Sequence, residues 1–184
     1  AYDAYIDACN RVPDTQLLRF GYSSLSTPDS TYDYDMVTRE RRLLKREEVL
    51  GAFDPANYRI ERLYAKGVDG SSIPISLVAR CETPQGQPSP LLLYGYGSYG
   101  ISVDADFDSA RLSLLDRGFI FAIAHVRGGE ELGRSWYEDG KLLRKRNTFT
   151  DFIACAEHLV SLGYTRHDRL FATGGSAGGL LMGA

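Results

Sequence analysis

The chain is 184 residues long, with 43% hydrophobic and 24% charged residues, the composition of a globular domain rather than of a disordered or fibrous chain. Its formal charge of −3 excludes the basic footprint of a nucleic-acid binder, and the one basic run, Lys141 to Arg146 (KLLRKR), reads as a solvated face. The longest apolar run, Phe119 to Ala124, is far shorter than the roughly 20 residues a membrane helix needs, so no membrane partner is expected.

In chain order, the opening AYDAYIDACN has no apolar signal-peptide core. Gln16 to Ser23, Thr31 to Met36 and Arg41 to Val49 are short aromatic or β-branched segments, separated by the turn compositions STPDS and VTRE. They predict an antiparallel meander. Gly51 to Pro55 breaks this pattern. Tyr58 to Tyr64 and Ser72 to Ala79 then flank Asp69-Gly70 as a hairpin, with Pro74 marking the second arm as a sheet edge. Pro84 to Pro90 (PQGQPSP) reads as a surface loop.

From Leu91 the character changes to buried strands alternating with helical periodicity, the grammar of an α/β fold. The strands are Leu91 to Tyr94, Phe119 to Ala124 and Leu170 to Thr173. One helix runs from Phe107 to Arg117 and stops at Gly118. The other runs from Thr148 to Leu162, with Phe149, Phe152, Ile153, Ala156, Leu159 and Val160 on its apolar face. Thr148 and Asp151 have capping-box spacing, and Gly163 is its stop. Cys9, Cys81 and Cys155 stand far apart without a CxxC pair, which indicates neither a disulfide framework nor a zinc site. A reducing, cytoplasmic location is expected, with Cys155 a small buried hydrophobe.

The strand LFAT leads into Gly174-Gly175-Ser176-Ala177-Gly178, a G-x-S-x-G pattern followed by residues able to start a helix. That is the setting of a nucleophile elbow, in which a sharp strand-to-helix turn strains the serine backbone and demands small residues at both neighbouring positions. The N–H of Ala177, at the helix start, would point at a developing oxyanion. The competing reading is a glycine-rich turn in which Ser176 only caps the helix; the flanking strand and helix favour the elbow. No G-x-x-x-x-G-K-[ST] phosphate loop is present.

A second glycine cluster, YGYGSYG from Tyr94 to Gly100, follows the strand LLLY, where an α/β hydrolase carries its oxyanion loop; the phenol of Tyr96 could donate there, or pack as an aromatic turn. Asp104, Asp106 and Asp108 have a D-x-D-x-D spacing without the glycine and glutamate of an EF-hand, so no metal is expected. His125, His158 and His167 all precede Ser176, against the Ser, Asp or Glu, His order of α/β hydrolases, and are read as structural or solvent-facing.

Taken together, YGYGSYG, HVRGGEELGRSWYEDGK, KRNTFTDF and GGSAGGLLMGA closely resemble the prolyl oligopeptidase family of serine peptidases. The YGYGSYG and GGSAGG spellings match its oligopeptidase B branch, where prolyl oligopeptidases proper read YGYGGF and GGSNGG. LRFGYSSLSTPDSTYDYDM and FDPANYRIERL extend the likeness over nearly the whole chain. The resemblance implies a partial α/β-hydrolase domain at 51–184, preceded at 1–50 by the last blade of a β-propeller. It implies Ser176 as nucleophile, with the Ala177 N–H and Tyr96 hydroxyl as oxyanion donors and Gly174, Gly175 and Gly178 shaping the elbow. Short peptides are the implied substrates, cleaved after Arg or Lys, with no cofactor. On the same basis the triad Asp and His are absent from these residues and lie downstream of the nucleophile, N- and C-terminal parts of the protein are missing, and this chain alone is expected to be inactive.

Overall fold

The computed structural model describes residues 2–84 and 86–184; Ala1, and Gln85 of the predicted Pro84–Pro90 loop, lie outside the described residues. The chain divides into two units, residues 1–56 with 104–109, and residues 57–103 with 110–184.

The first unit is an antiparallel sheet whose strands lie in sequence order: β1 (Tyr2–Ile6), β2 (Leu17–Ser24), β3 (Thr27–Asp35) and β4 (Arg41–Arg46). Cross-strand pairs hold it. Phe20 stacks on its register partner Tyr32 at 5.4 Å, and Arg19 reaches the buried carboxylate of its partner Asp33 at 2.8 Å. The strand β1 escapes the sequence reading, because its only apolar positions are exposed. STPDS is not a turn, since β3 begins at Thr27. Pro28 is tolerated there because it lies at the register shift between Tyr22 and Ser24, before pairing with β4 starts at Ser30. VTRE does form a turn, with Arg39 in the left-handed region at φ 63° and Asp35 accepting from the backbone N–H groups of Val37 and Thr38. Phe107 belongs to this unit: Ser23 Oγ accepts its N–H at 3.1 Å, and its ring meets Phe53.

The second unit holds β5 (Tyr58–Lys66), β6 (Ser72–Arg80), β7 (Leu91–Gly95), α1 (Ser109–Leu115), β8 (Ile120–Ala124), α2 (Arg134–Glu138), α3 (Arg146–Ser161), β9 (Leu170–Thr173) and α4 (Ala177–Gly183). The helix α1 starts at Ser109 rather than Phe107, which is held elsewhere as described. The sheet order is β5-β6-β8-β7-β9, antiparallel from β5 to β8 and parallel from β8 to β9. On β6, residues 73–79 are all buried, as a strand covered on both faces requires.

Pro74 therefore does not mark an edge, because β6 lies between β5 and β8. The compensation is local. Facing β8, Pro74 can accept the N–H of His125 at 3.0 Å but cannot donate in return, and the indole Nε1 of Trp136 donates to the His125 carbonyl instead at 3.1 Å.

The α3 helix starts two residues before the predicted cap, and Thr148 and Asp151 form no capping box. Both are fully buried, with Thr148 Oγ1 donating to the Arg127 carbonyl at 2.7 Å and Asp151 accepting from the Arg127 guanidinium at 2.6 and 2.8 Å. These bonds rotate the helix, so that Thr148, Asp151, Cys155 and Leu159 form its buried stripe while Ile153 is exposed. Cys155 and Leu159 join Ile75, Leu77, Leu91 and Leu93 in the core. Gly163, at φ 77°, ends the helix as predicted. The KLLRKR run is only partly a solvated face, because Lys145 is half-buried.

Arg127 also reaches the half-exposed Asp69 at 2.6 Å, from the hairpin turn between β5 and β6; the Ser71 hydroxyl and N–H, and after them this contact, hold the Asp69 carboxyl well below the usual range. Replacing Asp151 by Ala leaves a buried guanidinium with Asp69 as its remaining carboxylate. The expected loss is about 3 to 5 kcal/mol, read as a lowered urea midpoint with unchanged slope. A loss under about 1 kcal/mol would show that the pair does not organise this region.

Burial, with a hydrogen bond to Glu61, pushes the Tyr164 hydroxyl up to about 12. A folded-state pKa above the unfolded value of about 10 gives stability that is complete below pH 10 and fades as pH rises to about 12. Tyr164→Phe is therefore expected to lose less stability than wild type between pH 9 and pH 12, measured by denaturant titration at each pH. Parallel curves would refute this.

Candidate active site

Ser176 is exposed and sits between β9 and α4 with φ 53° and ψ −119°, a backbone conformation that is costly for a residue carrying a Cβ. Such strain persists only where the surroundings over-determine it. Here the surroundings are two glycines and a strand end. A Cβ at Gly174 would lie 2.7 Å from the Gly95 carbonyl oxygen, and one at Gly178 would lie 2.6 Å from the same atom. Gly175, by contrast, faces open space. The expectation that crowding demands small residues at both neighbouring positions therefore fails at Gly175: the crowded positions are two residues away on either side, where the turn folds back on β7.

That contact brings the two glycine clusters together. Gly95 ends β7 and Tyr96 follows it, and the Cβ built at Gly178 approaches the Tyr96 Cα to 3.6 Å. Tyr96 itself is half-buried. Ala177 opens α4, at a position where a helix supplies no internal acceptor for the N–H. Gly97 continues the loop at φ 67°, and a side chain there would strike Thr148 and Val126. Two further backbones pack into the same space: a Cβ at Gly128 would fall 2.0 Å from the Gly97 oxygen, and one at Gly140 2.1 Å from the Gly128 nitrogen. Only unsubstituted backbones can approach this closely. A pocket of about 590 Å³ opens beside these elements, lined by Ala177 and Leu180 of α4, by Ser98 and Tyr99, and by Lys145.

The histidines lie elsewhere. His167 is exposed, His158 is half-buried on α3, and His125 is buried beside β8. His125 does take part in a constellation that the sequence did not suggest. Its Nε2 lies 2.7 Å from Ser76 Oγ and its Nδ1 3.6 Å from Glu131 Oε1, the residue types of a serine-hydrolase triad. Ser76 is completely buried, however, and the Arg62 guanidinium donates to its oxygen at 2.6 Å. No substrate carbonyl can reach it, and the trio acts as a polar tie between β6, β8 and the loop that follows β8. Among the described residues, no cluster of three or more His, Cys, Asp or Glu side chains is arranged to hold a metal ion, and no helix is long and apolar enough to cross a membrane.

Comparison with known proteins agrees with the geometry. The model of the prolyl oligopeptidase family matches residues 105–184. Dipeptidyl aminopeptidase BI of Pseudoxanthomonas mexicana is 49% identical over all of this chain and 25% of its own length. Protease 2 of Moraxella lacunata is 48% identical over 93% of this chain and 25% of its own. Oligopeptidase B from Trypanosoma brucei, solved with covalently bound antipain, superposes with a TM-score of 0.88 at 50% identity over 99% of this chain and 26% of that one. Oligopeptidase B from Leishmania major gives 0.89 at 48% identity over 100% of this chain and 26% of that one. The chain thus spans about a quarter of the length of the relatives it matches. With near-half identity across both units and a family match over residues 105–184 that takes in the strained serine, the chain is similar throughout to the prolyl oligopeptidase family.

Proposed function

We propose that this chain is the nucleophile-bearing part of a serine oligopeptidase that hydrolyses short peptides, cleaving after Arg or Lys. Residues 1–50 form the last blade of its propeller and 51–184 the first part of its hydrolase domain. The observation that carries the reading is the backbone of Ser176, held at φ 53° and ψ −119° between a parallel strand and a helix start. The preference for Arg or Lys rests on the likeness to the oligopeptidase B structures, each about half identical to this chain.

In this reading Ser176 Oγ attacks the scissile carbonyl, and a histidine outside these residues, oriented by an aspartate, takes its proton. The carbonyl oxygen becomes an oxyanion that accepts hydrogen bonds from the Ala177 N–H and the Tyr96 hydroxyl. Collapse breaks the C–N bond as the histidine passes that proton to the leaving nitrogen, which leaves an acyl-serine; water then attacks it, giving its proton to the histidine, which returns it to Ser176 Oγ as the acid departs. The backbone donor is fixed by the elbow and the phenol by the β7 loop, so neither needs to reorganise as charge develops.

In the full-length enzyme, Ser176→Ala is expected to lower turnover of an arginyl amide by about 10⁴- to 10⁶-fold with the melting temperature unchanged. A fluorophosphonate should label wild type at Ser176. Labelling elsewhere, with Ser176→Ala still active, would remove the assignment. Tyr96→Phe deletes a donor used mainly in the transition state, so kcat should fall roughly 10- to 10³-fold with KM little changed. If kcat is unchanged when chemistry limits the rate, Tyr96 is an aromatic turn residue only.

A further inference from the structure

Lys145 lies between the 3₁₀ turn Leu142–Arg144 and α3. It is the N-cap of α3, with no side-chain cap bond, ahead of a first turn that contains no acidic residue. Its backbone is helical, at φ −57° and ψ −27°, and it also closes the 3₁₀ turn Leu142–Arg144, its N–H donating to the Leu142 carbonyl. Its side chain is half-buried, and burial alone lowers its pKa, with no carboxylate contributing a compensating attraction. A half-buried cation is costly, and such a cost is expected where a side chain serves the site rather than the fold.

The gain is found across the pocket. Lys145 Nζ donates to the Gly97 carbonyl at 2.5 Å and to Ser98 Oγ at 2.7 Å. These are the two residues that follow Tyr96, in a loop whose other wall is the glycine packing of Gly128 against Gly97. The loop is thus gripped on one side by close backbone contact and on the other by a charge-assisted pair of hydrogen bonds, which are shorter and stronger than neutral ones.

We propose that Lys145 is a positioning residue that fixes the Tyr96 hydroxyl by clamping the Gly97-Ser98 segment. The inference rests on the reading of Tyr96 as an oxyanion donor. Loss of the clamp frees the loop by a fraction of an ångström to an ångström, a scale of misplacement that costs up to about 100-fold in rate while leaving substrate contacts elsewhere intact.

The test is a double-mutant cycle in the full-length enzyme on an arginyl amide, with kcat and KM measured separately for Lys145→Met, Lys145→Arg, Tyr96→Phe and Lys145→Met/Tyr96→Phe. Expected are a kcat about 10- to 100-fold lower in Lys145→Met with KM changed less than about twofold, substantial recovery in Lys145→Arg, and little further loss when Lys145→Met is added to Tyr96→Phe. Where Lys145→Met does not fold, Lys145→Gln, which keeps a donor but no charge, takes its place in the cycle. If Tyr96→Phe is slow but the lysine substitution is silent or fully additive with it, the clamp is overturned and the oxyanion reading stands. If Tyr96→Phe itself leaves kcat unchanged, the oxyanion reading fails and the clamp fails with it.

Discussion

The buried pair of Arg127 and Asp151 is the interaction on which the second unit depends. Asp151 is fully buried and Arg127 nearly so, and each would be costly there without the other's opposite charge. Each bond of the pair fixes a different element. The carboxylate sets the rotation of α3, the guanidinium draws in the β5–β6 turn through Asp69, and the Arg127 backbone presents its carbonyl to Thr148 and its N–H to Asp151. With Arg127, three residues after β8, held in this way, Gly128 arrives against Gly97, and the loop carrying Tyr96 acquires a wall. Polar bonds of this kind contribute less to net stability than to uniqueness, because a slipped helix would strand a buried charge.

The same logic separates what could be read along the chain from what could not. The strands Leu91–Gly95, Ile120–Ala124 and Leu170–Thr173 are legible because burial on both faces leaves a continuous apolar run, a purely local signal. The rotation of α3 is not legible. Apolarity selects Phe149, Phe152, Ala156 and Leu159, which do meet the core, but it also selects the exposed Ile153 and passes over the fully buried Thr148 and Asp151, whose partner lies 24 residues earlier than Asp151. Pro74 misleads for a related reason. A proline signals an edge only while no other donor can serve the carbonyl opposite it, and the Trp136 indole does so here across 11 residues.

At the candidate site, the glycine-serine-glycine spacing carried the position of the strained turn because its requirement is local backbone geometry. Which glycines are required was not legible, since Gly174 and Gly178 answer to a carbonyl on β7 while Gly175 answers to nothing nearby. Lys145 was hidden by its company. Amid Arg144, Arg146 and Lys141 it looked like one more solvated cation, and only its hydrogen bonds, made 47 and 48 residues away, distinguish it.

The Ser76–His125–Glu131 trio also bears on how serine hydrolases are found by shape. A search template of serine, histidine and carboxylate, scored by interatomic distance, would accept this trio and assign the reaction to a residue sealed inside the sheet. Ser176, which has the strained turn but which the proposed function pairs with a histidine outside these residues, would score nothing. Templates that weight backbone strain and water access at the hydroxyl would reverse that ranking. The order of recognition should follow the order of construction: first the turn that exposes an oxygen, then the groups that activate it.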